Sequence, residues 1–174
     1  MTNAFAELGL APRPWLDPAE IKTRFQQLTR AHAPLASLNE ARRILESPAA
    51  RLRLLAAITA PDQTAFTKPA ANWTIFETIG NFCKEVREWR QLQGSTALER
   101  AVQLAAAVPL RSQLQATRDL LESDRARLET QTLFLDAAWP QVNAAALLSL
   151  AEEWTFWNRW NDALYESAAL LNGA

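Results

Sequence analysis

The spacing of its apolar residues is the feature that most constrains what this chain can fold into. Between breaks at proline and glycine, apolar side chains recur three and four positions apart, the period of a helix with one buried face. No useful length of chain alternates with the period of two that a half-buried strand shows. Only 4 of the 174 residues are glycine, which also favours long helices. The sequence therefore predicts an all-α fold.

Capping residues and prolines divide the first part of the chain into four short helices. Asp17 is a suitable N-cap and Pro18 stands at the first helical position, so together they mark the start of the second helix. Pro34 ends that helix, because the residue before a proline avoids the helical region. By the same rules, the other boundaries fall at Asn3, Gly9, Leu35 and the Ser47–Pro48 pair.

A segment of prolines with small and polar residues, 59–71, is the predicted linker between two domains. Residues 1–58 form the first domain, and residues 72–174 form a C-terminal helical bundle with long antiparallel helices. Within the bundle, Gly94–Ser95 ends the first helix and caps the second, and Pro109 interrupts and restarts the second.

Two apolar stripes in the bundle fit either a core or an interface. Leucines recur every seven residues, as in a coiled-coil seam, but the companion positions Thr117, Asp124 and Gln131 are polar, which favours packing within the chain. A tryptophan stripe lies on successive turns of the last helix, where core packing and a partner groove both remain open. The leucines are Leu114, Leu121, Leu128 and Leu135, and the stripe consists of Trp154, Trp157 and Trp160.

Charge and residue content exclude several classes of function. The formal net charge of -1 gives no electrostatic preference for nucleic acid or for a membrane surface. One cysteine, Cys83, and one histidine leave no disulfide and no Cys/His metal site. The chain has no leader-like start and no apolar run of the roughly 18 residues that a membrane span needs, so a cytoplasmic location is expected.

Three segments in the first domain follow a known motif order. Residues 5–10 (F-A-E-L-G-L) resemble the opening Y-x-x-L-G-L of a J domain, the helical module that docks on DnaK-type chaperone ATPases. Residues 17–30 resemble its second helix, and residues 39–51 follow its N-E-A-x-x-x-L-x-D-P-x-x-R run. The chain resembles most closely the HscB-type co-chaperones of iron–sulfur cluster assembly, in which a J domain precedes a three-helix bundle. Residues 48–58 and 156–160 are similar to further segments of that branch.

The resemblance implies docking on a chaperone through the second helix and the loop that follows it. The family's His-Pro-Asp motif in that loop couples docking to ATP hydrolysis, and it corresponds here to His32, Ala33 and Pro34. The histidine is retained, the carboxylate is lost and the loop is shortened, so we expect normal ATPase stimulation to be lost. As a general base His32 would need an acid partner or a nucleophile nearby, and the sequence offers none. The chaperone-facing residues would be Lys22, Arg24 and Arg30.

The resemblance also implies a partner-binding face on the bundle. The family's Leu- and Met-rich run is mostly replaced in residues 76–86, which weakens the case for binding an iron–sulfur scaffold protein. The residues expected on this face are Phe76, Phe156, Trp157 and Trp160.

Together these observations predict an interaction protein that has no enzyme activity, cofactor or metal. The alternative is an active co-chaperone that delivers a client or an iron–sulfur scaffold protein to a DnaK-type chaperone. Neither nucleic acid nor a membrane is an expected partner, and a homodimer remains open.

Overall fold

A computed structural model describes residues 3–31, 34–60, 73–92 and 96–172, and these residues form seven helices and no strand. The all-α prediction is confirmed. None of the described helices combines the length and the apolarity that a membrane-spanning segment requires. The helices are α1 Ala4–Leu8, α2 Pro18–Arg30, α3 Leu35–Glu46, α4 Pro48–Thr59, α5 Trp73–Gln91, α6 Ala97–Ala137 and α7 Ala144–Asn172.

The predicted caps define the ends of the short helices. Asn3 and Asp17 each accept a hydrogen bond from the backbone N–H two residues on, at 3.2 and 2.8 Å. Gly9 ends α1 with φ 62, a left-handed conformation that glycine adopts without steric cost. Ser47 ends α3 and caps α4 through a bond from Ala50 N at 3.4 Å. These boundaries agree with the sequence prediction.

α6 is one continuous helix where the sequence predicted an interruption at Pro109. Proline has no N–H to bond the carbonyl of Ala105, and a proline inside a helix costs about 3 kcal/mol. Both residues are exposed, so water can bond the freed carbonyl. The helix continues because its inner side remains packed on both sides of the proline, at Ala107 and Leu114.

The cap of α6 also differs from the prediction. The segment 93–95, which contains the predicted Gly94–Ser95 break, lies outside the described residues. Thr96 is the N-cap instead, because its hydroxyl accepts from Glu99 N at 3.2 Å. The Glu99 carboxylate in turn accepts from Thr96 N at 2.9 Å. This reciprocal pair is a capping box.

The chain divides into two compact units. Unit 1 comprises residues 1–70 and 128–155, and unit 2 comprises residues 71–127 and 156–174. Residues 128–155, which lie within the predicted bundle, are thus grouped with residues 1–70. The linker itself falls largely in residues 61–72, outside the described residues.

In unit 1, α3 is the central helix of the first domain and contacts α1, α2 and α4. The guanidinium of Arg42 on α3 lies 5.0 Å from the ring centroid of Phe25 on α2. Arg53 on α4 donates to Glu152 on α7 at 2.7 Å. The fully buried side chains include Phe5, Leu8, Ile21, Leu38, Leu45, Leu52 and Leu55.

Unit 2 is built from α5, the first part of α6 and the last part of α7. Two tryptophans join these helices by donating to backbone carbonyls: Trp89 to Gln103 at 2.8 Å and Trp157 to Leu121 at 2.9 Å. The indole N–H groups are thereby satisfied while the rings are largely covered. The core consists of Phe76, Ile79, Phe82, Cys83, Val86 and Trp89 of α5, Ala107, Leu114 and Leu121 of α6, and Leu164, Ala168 and Leu171 of α7.

The leucine repeat of α6 packs within the chain, as predicted: Leu114, Leu121 and Leu128 are buried. Two polar companion positions are nevertheless buried as well. Thr117 is satisfied by donating to the Gln113 carbonyl at 2.7 Å. Asp124, with 1% of its side chain exposed, accepts from Arg127 at 2.9 Å.

Candidate functional site

Four aromatic residues of unit 2 form one group, which we call the aromatic cluster: Trp73 and Phe76 of α5 with Phe156 and Trp160 of α7. The ring centroids of Phe76 and Trp160 are 6.0 Å apart at an interplanar angle of 13°. Trp73 meets Phe156 edge-on, at 5.9 Å and 65°. Such offset and edge-to-face contacts favour one fixed arrangement of the rings.

The four side chains of the aromatic cluster differ in their exposure to solvent. Phe76 is only 4% exposed and belongs to the core, Phe156 and Trp160 are half-buried, and Trp73 is 55% exposed. The cluster therefore presents a partly exposed aromatic surface whose buried end is anchored in the core of unit 2. Burying a further aromatic ring face against a partner protein is favourable at interfaces, where tryptophan is enriched.

Gly80 allows the indole of Trp160 to lie close to α5. A Cβ placed on Gly80 would lie 3.4 Å from Cη2 of Trp160 and 3.7 Å from Cζ3. A longer side chain at this position would push the indole outward. Gly80 is one helical turn from Phe76, so both residues position the same ring.

Trp157 does not join the aromatic cluster, although the sequence placed it on the same face. Its indole points to α6, where it donates to the Leu121 carbonyl, and the Arg125 guanidinium carbon lies 6.0 Å from its ring centroid. A groove of about 210 Å³ lies beside it. That groove has a mixed polar and apolar lining, formed by Arg118, Asp119, Leu121, Glu122, Trp157, Asn161, Leu164 and Tyr165.

The structure thus divides the predicted partner face. It brings Phe76, Phe156 and Trp160 together and directs Trp157 to a different neighbour. It adds Trp73, which sequence reasoning missed. The available signal was the spacing of three residues between Trp73 and Phe76 at the start of α5, which places both on one side of the helix.

The three predicted chaperone-facing cations on α2 are all exposed but do not share one side of the helix. At about 100° per residue, Lys22 and Arg30 lie about 80° apart. Arg24 lies about 160° from Lys22, across the buried stripe that contains Ile21, and about 120° from Arg30. Only Lys22 and Arg30 can contact one flat surface together.

The remnant of the His-Pro-Asp motif falls mostly outside the described residues. His32 and Ala33 lie there, so only Pro34 can be placed. Pro34 is exposed and is the N-cap of α3, with a carbonyl that accepts from Leu38 N at 3.2 Å. Since α2 ends at Arg30 and α3 begins at Leu35, the connection is as short as the sequence predicted.

A polar network in unit 1 was not predicted. The carboxylate of Asp136, near the end of α6, accepts from the Arg13 guanidinium and from the Trp15 backbone N–H at 3.1 Å. Burial raises the pKa of Asp136, but these two hydrogen bonds and the positive charges of Arg13 and Arg51 lower that pKa overall. The network holds the α1–α2 connection against the end of α6.

Arg51, the last residue of the motif run 39–51, is buried beside this network. Its guanidinium donates to the carbonyls of Pro14, at 2.8 Å, and of Leu45. Burial lowers the pKa of Arg51 to about 10, against the opposing effect of the Asp136 charge. Arg51 remains charged at neutral pH, and its hydrogen bonds compensate its desolvation.

Among the residues that the structure describes, no three His, Cys, Asp or Glu side chains are grouped so that they could hold a metal ion. No family model, no curated protein and no solved structure matches this chain.

Proposed function

We propose that the protein is a non-catalytic interaction protein that binds a partner protein through the aromatic cluster. The observation that supports this most directly is the partial exposure of rings that already pack against one another. Trp73 is 55% exposed, while Phe156 and Trp160 are held against the buried ring of Phe76. Ordered aromatic side chains lose little conformational entropy on binding, and they contribute strongly to affinity once they are desolvated.

The motif resemblance supports a more specific version of this proposal. The protein is related to HscB-type J-domain co-chaperones, and its partner is a DnaK-type chaperone or an iron–sulfur scaffold protein. Loss of normal ATPase stimulation follows from the sequence of the α2–α3 connection, A-H-A-P, which contains no carboxylate. The shortness of that connection supports the same conclusion.

The binding proposal is tested with the two candidate partners, a purified scaffold protein and a purified DnaK-type chaperone, by titration calorimetry. Trp73→Ala should weaken binding of the true partner by at least about tenfold, the cost expected for a hot-spot aromatic residue. Tyr165→Ala is the matched control, because Tyr165 is an exposed aromatic residue of unit 2 outside the cluster. Equal effects of the two substitutions, or no effect of Trp73→Ala, would contradict the proposal.

The alternative function is an active co-chaperone. The exposed pair Lys22 and Arg30 favours it, because both cations can reach one acidic surface on a chaperone. This alternative requires several-fold stimulation of the chaperone ATPase by the wild-type protein, and abolition of that stimulation by His32→Ala.

A further inference from the structure

The groove beside Trp157, which we call the Trp157 groove, lies between α6 and α7 and encloses about 210 Å³. All the residues that line it belong to unit 2. It is separate from the aromatic cluster, because the cluster joins α5 to α7, whereas the Trp157 indole bonds α6. The groove is therefore a second surface feature, and its chemistry can be considered by itself.

The deepest residues of the Trp157 groove are apolar. Leu121 and Leu164 line it, and both are almost completely buried. Trp157 is half-buried, and its indole N–H already donates to the Leu121 carbonyl at 2.9 Å. Since an indole has no second polar group, Trp157 offers the groove an apolar ring. A ligand in the groove can therefore bury an apolar group against these side chains.

Two carboxylates line the Trp157 groove, and each of them already has a partner. Asp119 accepts a hydrogen bond from the side-chain amide of Gln115 at 2.9 Å. Glu122 forms an ion pair with Arg125, on the next turn of α6, at 3.6 Å. These contacts use part of the acceptor capacity of the carboxylates but leave both negative charges in place. A ligand with two negative charges would be repelled by them.

Two hydrogen-bond donors of the Trp157 groove differ from the carboxylates in having no such partner. The side chains of Arg118 and Asn161 form no hydrogen bond or ion pair with the residues that the structure describes. Arg118 is exposed on α6, and Asn161 is half-buried on α7. A guanidinium has five N–H donors, and a side-chain amide has two. Because both residues line one groove, their donors can bind one acceptor together.

A carboxylate is the acceptor that fits these donors. A guanidinium binds the two oxygens of a carboxylate through two parallel hydrogen bonds, and the Asn161 amide can donate to either oxygen. A phosphate monoester has nearly two negative charges at neutral pH, so Asp119 and Glu122 disfavour it. A neutral amide has the shape of a carboxylate but lacks its charge, which makes its hydrogen bonds to a guanidinium weaker.

We propose that the Trp157 groove binds a carboxylate that is attached to a small apolar group. Arg118 and Asn161 donate to the carboxylate, and the apolar group packs on the Trp157 ring. A free aromatic or aliphatic acid has this chemistry, and so does an apolar residue at the C-terminus of a polypeptide. For a ligand of about ten non-hydrogen atoms, the Kd is expected to be on the order of 1 mM.

An NMR titration of the whole isotope-labelled protein tests the proposal. The probes are hydrocinnamate, which represents a free acid, and a short peptide that ends in phenylalanine with a free carboxylate, which represents a chain end. At least one of them should shift the side-chain N–H signals of Trp157 and Asn161, and the probe that binds more tightly identifies the source of the carboxylate. Trp157→Phe identifies the indole signal by its loss. The corresponding amides, hydrocinnamide and the amidated peptide, should bind at least about tenfold more weakly.

Two variants test the donors. Arg118→Gln removes the positive charge and should weaken binding of the tighter probe about tenfold or more. Arg118 is exposed and glutamine is a good helix former, so the fold should be kept, which circular dichroism verifies. The control Arg100→Gln makes the same change at an exposed arginine of α6 outside the groove and should leave binding unchanged. Asn161→Asp adds a third carboxylate at nearly constant shape and should abolish binding.

Absence of a shift in the Trp157 and Asn161 signals with either probe overturns the proposal. So does equal binding of an acid and its amide, because the carboxylate is then not recognised. Equal weakening by Arg118→Gln and Arg100→Gln overturns it as well, since the general surface charge then attracts the probe. Tighter binding of phenyl phosphate than of hydrocinnamate overturns the choice of a carboxylate. None of these measurements involves the aromatic cluster, so the two proposals fail separately.

Discussion

The two units are stabilised by different kinds of contact. In unit 1, a carboxylate from α6 bonds a guanidinium and a backbone N–H of the α1–α2 connection, and Arg51 is buried nearby. In unit 2, indole N–H groups bond helix carbonyls within an aromatic core. Unit 2 also has most of the large exposed apolar side chains that the structure describes. Both units have an apolar core, but unit 1 adds a charge network that joins distant parts of the chain, and unit 2 exposes more of its large apolar side chains.

The largest expected effect is in the core of unit 2. Phe82 is fully buried, so Phe82→Ala leaves a cavity and should lower the free energy of unfolding by about 3–5 kcal/mol. Urea denaturation followed by circular dichroism measures the loss. Tyr165→Ala, which removes an exposed ring, is the control and should change stability by less than about 0.5 kcal/mol. Comparable losses in the two variants would contradict an aromatic core.

The next effect concerns Asp136 in unit 1. Asp136→Asn removes the negative charge beside Arg13 and the buried Arg51 and should cost about 2 kcal/mol at pH 7, less than a fully buried pair because Arg13 is half-exposed. Since the folded pKa of Asp136 is lowered, the carboxylate stabilises the fold above its unfolded pKa of about 4. This stabilisation is lost as the pH falls through the folded pKa.

Urea unfolding of wild type and Asp136→Asn between pH 3 and pH 7 therefore tests whether Asp136 stabilises unit 1 through its charge. The difference in stability between wild type and Asp136→Asn should shrink as the pH falls. Glu152→Gln is the control, because the Arg53–Glu152 pair is more exposed and should contribute about 1 kcal/mol or less. A difference that stays constant with pH would show that Asp136 does not act through its charge.

A smaller effect is expected from the Trp157 hydrogen bond in unit 2. Trp157→Phe keeps an aromatic ring but loses the N–H that donates to Leu121, and should cost about 1 kcal/mol. Its dependence on pH should match that of wild type, in contrast to Asp136→Asn. Thermal unfolding at pH 3 and pH 7 measures both. A loss that varies with pH would break the distinction between the units.

The smallest effect is expected at Gly80. Alanine in place of a helix-interior glycine stabilises by about 0.5–1 kcal/mol, and a Cβ here meets Trp160 at 3.4 Å, an ordinary contact distance. Gly80→Ala should therefore be neutral or slightly stabilising, while Gly80→Leu should displace the indole. Tryptophan fluorescence should shift to the red only for Gly80→Leu. A red shift for Gly80→Ala would show that the indole has less room than the geometry implies.

The helices were predictable because their determinants are local. Asp17, Pro18, Gly9 and Ser47 each act on neighbouring backbone groups, and the helix boundaries followed from them. The prediction that Pro109 interrupts the helix was wrong. The free-energy cost of a proline in a helix depends on whether the freed carbonyl is exposed and on the packing further along α6, and the local sequence shows neither. The wrong placement of the α6 cap has a similar origin, since Ser95 and Thr96 are both suitable N-caps.

The division into units and the members of the candidate site were harder to predict. Arg13 and Asp136 are 123 positions apart in the sequence, so no spacing rule connects them. Trp160 and Trp157 belong to the same stripe in sequence, but they differ in orientation because one packs on Gly80 of α5 and the other bonds α6. The spacing in the sequence shows that the tryptophans form one stripe on α7, but it does not show which helix each of them contacts.

The proposed loss of ATPase stimulation is tested most directly by the steady-state ATPase rate of a DnaK-type chaperone with increasing amounts of this protein. A conventional J-domain protein serves as the positive control. We expect the rate to stay at its basal value, because the α2–α3 connection has no carboxylate after His32. Several-fold stimulation that His32→Ala abolishes would contradict it and establish an active co-chaperone.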